Sequence, residues 1–247
     1  MRLTGLKLAT CLAFCAAYLA LSPEPAASSL EEPYRVLSPS GGIAPHPAVM
    51  LVPGCSGFAA HNGVNLYDER ATELQAAGYV VVFVDYIGRR MQSNCAHVSP
   101  AEVSTEILEA ATWTKRQPGI DANRISVIGW SFGGRGVLAA LKAMPTDAPI
   151  AKAVMYYPVC RGAASWSAPA TGLMLLGAMD DIAYPDLCDA VVKGMSPDKL
   201  RVITYPNARH GFDMRGLPDR SDHLPGAPAY NPEAAKASWS VVLEFLN

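Results

Sequence analysis

The chain has 247 residues, half of them hydrophobic, and a formal net charge of −2. That length can bury a substantial core and suits one large α/β domain better than two small ones. The low, balanced charge, with no basic patch in sequence, argues against nucleic-acid binding.

The first segment is set apart from the rest. Arg2 and Lys7 precede an apolar run, Leu8 to Leu21, and a small-residue stretch, Pro25-Ala26-Ala27-Ser28-Ser29. This is the layout of a secretory signal peptide, here residues 1–27, leaving a domain of residues 28–247. The run is short for a membrane span, so an uncleaved anchor is the weaker alternative and no stable membrane association is expected after cleavage. Cys11 and Cys15 lie inside the run without the context of a lipoprotein signal.

Strand-like and helix-like segments then alternate. Runs rich in β-branched and other apolar residues read as buried strands over 48–52, 79–85, 125–129, 153–157, 173–176 and 201–205. Their nearly continuous apolar character is what a parallel sheet covered on both faces requires. Between them, residues 65–77 read as a helix stopped at Gly78. Ser99-Pro100-Ala101-Glu102 is a capping box with Pro at the first helical position, opening a second helix. A last helix over about 232–246 places Ala235, Trp239, Val242 and Leu246 on one stripe. The Pro/Gly-rich residues 211–228 before it read as a surface loop. The alternation predicts a doubly wound, mostly parallel sheet flanked by helices, in a single domain.

The sharpest local signal is Gly129-Trp130-Ser131-Phe132-Gly133, which follows a strand-like run and precedes a helical pattern. Strand, G-x-S-x-G and helix describe a nucleophile elbow, in which the serine sits on a sharp turn and its neighbours two positions away must be small. The turn also sets the serine at a helix N-terminus, where amide N–H groups favour developing negative charge. A serine hydroxyl needs a base to take its proton. Of the histidines after Ser131, His210 sits just past a strand-like run, where open α/β sheets build their sites, and is preferred over His223 in the surface loop. The acid should follow the strand between them, and Gly177-Ala178-Met179-Asp180-Asp181 offers two carboxylates. Asp180 is nearer the strand end; Asp181 is the alternative, with a helix-capping role otherwise. Two N–H donors are needed for an oxyanion. One is expected from Phe132, after the nucleophile, and the other from Cys55 in the glycine-bearing loop Pro53-Gly54-Cys55-Ser56-Gly57. Tyr86, Arg89 and Trp130 are candidates for substrate contact, with Tyr184 and Phe212 as further aromatic lining; surface charge and core packing are the alternatives. Outside the leader, Cys55, Cys95, Cys160 and Cys188 make an even set, which in an exported chain points to disulfides, although four separate buried thiols stay open. No pair has the spacing of a zinc site, and neither metal nor organic cofactor is implied.

Taken together these residues resemble the dienelactone hydrolase family of the α/β-hydrolase fold, from about Ala48 to the C-terminus. The resemblance rests on the Pro53–Gly57 loop, residues 85–90, Gly129-Trp130-Ser131-Phe132-Gly133-Gly134, Gly177 to Asp180, and Tyr205 to Phe212. It implies the acid at Asp180, in the family's G-x-x-D, and the base at His210, in its H-G-F. Dienelactone-cleaving members use a cysteine nucleophile and a first-loop glutamate, whose places here are held by Ser131 and Gly54. Many relatives also carry His-Gly where this chain has Pro53-Gly54. The resemblance therefore implies fold and triad without the dienelactone substrate. In its layout Cys160 and Cys188 follow neighbouring strand ends, as do Cys55 and Cys95, so those two pairings are expected.

The function expected is hydrolysis of a small-molecule carboxylic ester or lactone through an acyl-enzyme on Ser131, in an exported, periplasmic or secreted enzyme. A peptidase or thioesterase of the same fold, and a catalytically silent binding protein, are the alternatives.

Overall fold

The computed structural model describes residues 33–39, 41–145, 149–218 and 224–247. The expected signal peptide, with Cys11 and Cys15, and His223 lie outside the described residues. Among the described residues no helix is long and apolar enough to cross a membrane.

Seven strands form one sheet: β1 (Arg35–Leu37), β2 (His46–Val52), β3 (Val80–Phe83), β4 (Ile120–Trp130), β5 (Ile150–Tyr156), β6 (Thr171–Gly177) and β7 (Leu200–Tyr205). Their order is β1-β3-β2-β4-β5-β6-β7. All neighbours run parallel except β1, which pairs antiparallel with β3 at one edge, Val36 opposite Val82. This is the doubly wound, mostly parallel sheet that the strand–helix alternation predicts, and it agrees with the α/β-hydrolase fold that the resemblance implies. The helices are α1 (Leu66–Ala76), α2 (Pro100–Lys115), α3 (Phe132–Ala143), the single turn α4 (Asp189–Val192) and α5 (Pro232–Leu246).

Side-chain alternation along the central strands splits the core in two. Ala48, Met50 and Val52 of β2 pack toward Val103 and Ile107 of α2 and Val137 and Leu141 of α3. Val49 and Leu51 point the other way, toward Leu66, Tyr67 and Leu74 of α1 and Trp239 and Val242 of α5. The period of two residues puts successive side chains on opposite faces, and both faces are dry, so the strands carry no polar side.

Local signals mark the helix ends. Asn65 caps α1, its side chain accepting from the N–H groups of Tyr67 and Asp68. Ser99 and Glu102 form the reciprocal capping box of α2, with Pro100 at its start. Asn231 caps α5 through Ala234 N–H. These caps satisfy orphan donors of the first turns and fix where each crossover helix begins. The chain passes from β2 outward to β3 and then back across to β4 on the other side of β2. At such a switch the loops leaving two neighbouring strands diverge and open a crevice at their C-terminal ends. Pro53 follows β2 and Ser131 follows β4 at that crevice.

Candidate active site

Ser131 stands between β4 and α3 with φ 50° and ψ −115°. A non-glycine residue there is strained by roughly 1–3 kcal/mol and persists only where its surroundings over-determine it. The surroundings are visible. Ser131 N–H donates to Tyr156 O at 2.9 Å, and Ser131 O accepts from Arg135 N–H at 3.0 Å. The flanking glycines are obligatory for packing. A Cβ on Gly129 would lie 2.8 Å from Gly133 O, and one on Gly133 would lie 2.2 Å from Pro53 O and 2.5 Å from Val52 O. The elbow is therefore wedged against the end of β2 by backbone contact.

His210 Nε2 lies 2.8 Å from Ser131 Oγ, and His210 Nδ1 lies 2.8 Å from Asp180 Oδ2. The three residues, separated by 49 and 30 positions in sequence, meet at the C-terminal rim of the sheet. Asp180 is buried and its other oxygen, Oδ1, accepts from the N–H groups of Ile182 at 2.9 Å and Ala183 at 2.8 Å. Both carboxylate oxygens are thus engaged and the side chain has one orientation. Asp181 is turned elsewhere, its Oδ2 accepting from Gly226 N–H at 3.1 Å. The His210 ring is flanked by the Tyr157 ring, centroids 4.7 Å apart. With Asp180 accepting at Nδ1–H, Nε2 is left to take a proton, so the arrangement can pass the Ser131 hydroxyl proton to the imidazole while the carboxylate stabilises the resulting cation.

The loop after β2 abuts the serine, a Cβ on Gly54 falling 3.5 Å from Ser131 Cβ. Gly54 N–H is taken by the Tyr67 hydroxyl at 2.9 Å. The next amide, Cys55 N–H, has no acceptor among the described residues. Phe132 N–H belongs to the first turn of α3, where helical N–H groups lack intrahelical acceptors. Cys55 is joined to Cys95, and Cys160 to Cys188. Two disulfides are compatible with an exported protein. Among the described residues no cluster of His, Cys, Asp or Glu could hold a metal ion.

The expected substrate contacts divide. Trp130 is wholly buried, its indole N–H donated to Asp213 Oδ2 at 2.9 Å and its ring stacked on Tyr156. Strand alternation explains this, since Trp130 shares a face with Ile128 of the same core. Phe212 is equally buried. Tyr86 is buried too, and its hydroxyl donates to Gly54 O at 3.0 Å. These three are internal, so none offers a surface to a substrate. Arg89 is exposed, bonded to Glu106 at 3.2 Å and set over the Tyr34 ring in a separate hollow lined by Pro33, Phe58 and Phe83. Tyr184 is exposed, with Met179 and Ile182, on the loop that carries Asp180.

One group escapes a reading of sequence alone. Asp213, three residues past His210, is 1% exposed. It accepts from Tyr157 Oη at 2.6 Å as well as from Trp130. Burial pushes its carboxyl above the usual range, while the two donors and the Arg70 charge pull the other way. The only local signal is a carboxylate directly after H-G-F.

The dienelactone hydrolase family matches the chain over residues 35–247. The chain belongs to that family. Membership makes it a hydrolase, and its sheet, elbow and loop order fit. No curated protein sequence matches at a significant level. Among solved structures, the family member is similar to a candidate dienelactone hydrolase from Klebsiella pneumoniae, at 21% identity and TM-score 0.69 over 85% of this chain and 90% of that one. It is also similar to a dienelactone hydrolase-like promiscuous phosphotriesterase from metagenomic libraries, at 23% identity and TM-score 0.66 over 84% and 88%. A third is a thermophilic esterase from Thermogutta terrifontis, at 16% identity and TM-score 0.61 over 86% of each chain. At these identities the likeness is one of fold.

Proposed function

We propose that this family member is an exported serine esterase that cleaves carboxylic esters or lactones through an acyl-enzyme. The observation that carries the reading is the unbroken series Ser131 Oγ, His210 and Asp180, with both links at 2.8 Å. Ser131 Oγ attacks the carbonyl carbon as its proton passes to His210 Nε2. The oxyanion of the tetrahedral intermediate is held by the N–H groups of Cys55 and Phe132. The C–O bond to the leaving group then breaks, and His210 returns the proton to the departing alkoxide. Water attacks the acyl-enzyme by the same route and releases the acid and the free serine. The serine in the nucleophile position and Gly54 in place of a loop glutamate separate it from dienelactone-cleaving relatives. Exposed Met179, Ile182 and Tyr184 give the acyl or alcohol group an apolar surface beside the triad. Export rests on residues 1–27 and on the two disulfides.

The test is a panel of nitrophenyl esters, lactones and peptide amides with a fluorophosphonate label. Ester turnover and stoichiometric labelling are expected, with kcat falling at least about 10³-fold in Ser131→Ala. Folded protein that neither labels nor turns over any ester would overturn the reading in favour of a binding protein.

A further inference from the structure

The amide of Cys55 can serve an oxyanion only if its peptide plane is held, because a rotation of that plane replaces the N–H with a carbonyl. A trans peptide is planar, with C=O and N–H pointing in opposite directions. Whatever fixes Gly54 O therefore aims Cys55 N–H. Two donors converge on that oxygen: the Tyr86 hydroxyl at 3.0 Å and Gly57 N–H at 3.1 Å. Gly57 belongs to the same small turn and moves with it. Tyr86 does not. It is wholly buried, reaches the loop from 32 residues away, and packs with α2 and α3 on one face of the sheet. Its ring also stands 6.3 Å from that of Phe132, the residue bearing the second amide. Burial drives the Tyr86 phenol far above its ordinary pKa, so it keeps the proton it donates.

We propose that Tyr86 is a positioning residue for the oxyanion hole: its hydroxyl, donated to Gly54 O, locks the Gly54–Cys55 peptide with Cys55 N–H free for the developing negative charge. The proposal rests on the reading of Cys55 N–H as an oxyanion donor. It also accounts for a buried tyrosine whose hydroxyl is spent on one carbonyl of a glycine turn. Tyr67 supplies the natural contrast. It belongs to the core on the opposite face of the sheet, and its hydroxyl accepts from Gly54 N–H, which lies on the preceding peptide. Both tyrosines make one buried hydrogen bond to Gly54, but only the Tyr86 bond acts on the plane that carries Cys55 N–H.

The experiment compares Tyr86→Phe with Tyr67→Phe in the full chain, using a nitrophenyl ester and a trifluoromethyl ketone that mimics the tetrahedral adduct. Removing an oxyanion donor outright costs about 10²–10³ in kcat, so loosening one should cost about 10- to 100-fold in Tyr86→Phe. KM should stay within about twofold, since the donor acts on charge present only in the transition state. Affinity for the ketone should fall by the same factor as kcat/KM. Tyr67→Phe should lose a similar amount of thermal stability and much less kcat. Equal losses of kcat in the two variants, tracking their melting temperatures, would overturn the proposal, as would wild-type kcat in folded Tyr86→Phe. Should Tyr86→Phe not fold, 4-aminophenylalanine and 4-methylphenylalanine at position 86 fill the same space with and without a donor. The amino variant is then expected to keep activity that the methyl variant lacks, and equal activity in both would overturn the proposal. Turnover surviving in Ser131→Ala would instead sink the esterase mechanism beneath it, so the two failures are told apart.

Discussion

The two flanks of Ser131 are held by different means. On the β2 side, the Pro53–Gly57 turn is gripped by side chains from a distance: Tyr67 and Tyr86 from opposite faces of the sheet, and a disulfide from Cys55 to Cys95. On the β6 and β7 side, the loops bearing Asp180 and His210 are tied largely by backbone to backbone. Ala178 N–H donates to Tyr205 O at 2.9 Å, Met179 N–H to Ala208 O at 3.0 Å, and Ala229 N–H to His210 O at 3.0 Å. On the proposed mechanism, the difference follows from what each flank must present. An amide donor needs only its peptide plane fixed, which a hydroxyl on the neighbouring carbonyl achieves. An acid and a base need whole side chains aimed, which calls for a rigid main chain beneath them and hydrogen bonds at both ends of the carboxylate.

Breaking the second flank should do the most harm. Asp180→Asn keeps the shape but offers His210 Nδ1 an amide, which no longer stabilises the imidazolium or holds the tautomer. A loss of about 10³- to 10⁴-fold in kcat is expected, with KM little changed, read from ester hydrolysis at neutral pH. The same replacement at Asp181, which bonds to Gly226, should leave kcat within a few-fold of the wild type.

The disulfides sharpen the comparison. Cys55–Cys95 and Cys160–Cys188 close loops of 40 and 28 residues, and loop entropy gives each a stabilisation of about 3–4 kcal/mol. Cys95→Ala and Cys188→Ala should therefore lower thermal stability by similar amounts. Their kinetics should part, because the first disulfide ends on Cys55, inside the Pro53–Gly57 turn beside Ser131, whereas the second ends outside that turn. A several-fold fall in kcat is expected for Cys95→Ala beyond that for Cys188→Ala, measured well below both melting temperatures. Matching kcat values would show that the tyrosine hydroxyls hold the turn unaided.

The smallest effect concerns Asp213, three residues past His210. Burial raises its carboxyl pKa, so the folded protein binds that proton more tightly than the unfolded chain does. Its contribution to stability is then fully present below the ordinary value of 3.8 and declines as pH rises through the folded value. Asp213→Asn removes the titration. The melting-temperature difference, wild type minus variant, should fall by a few degrees between about pH 4 and neutrality. A difference that rises with pH would mean that the Tyr157 and Trp130 donors and the Arg70 charge outweigh burial.

Much of this is legible in the sequence wherever the cause is local. The capping box at Ser99, the terminal helix from Pro232 and the elbow at Ser131 are each written in a few adjacent residues, and the buried strands in continuous apolar runs. The antiparallel strand β1 is not, because three residues carry no period. Strand β4 begins at Ile120, five residues before its apolar run, as its polar start joins β2 only through a bulged pairing of His46 with Ile120. Chain order and loop position locate Ser131, Asp180 and His210. The partners that hold them are harder to see. Asp213 meets Trp130 across 83 positions and Tyr157 across 56, and nothing near any of them in sequence announces the meeting. Trp130 is a different case. Its alternation with Ile128 already places it in the core, and adjacency to Ser131 is the weaker guide.

Gly133 carries a consequence for how this enzyme could change. Not even a methyl group fits between the start of α3 and the carbonyl oxygens of Val52 and Pro53. The start of α3 is thus seated against the end of β2 by main chain touching main chain, with no rotamer to retune that contact. Side-chain substitution has no handle on that seat, whereas the exposed side chains of Met179, Ile182 and Tyr184 can be exchanged without touching it.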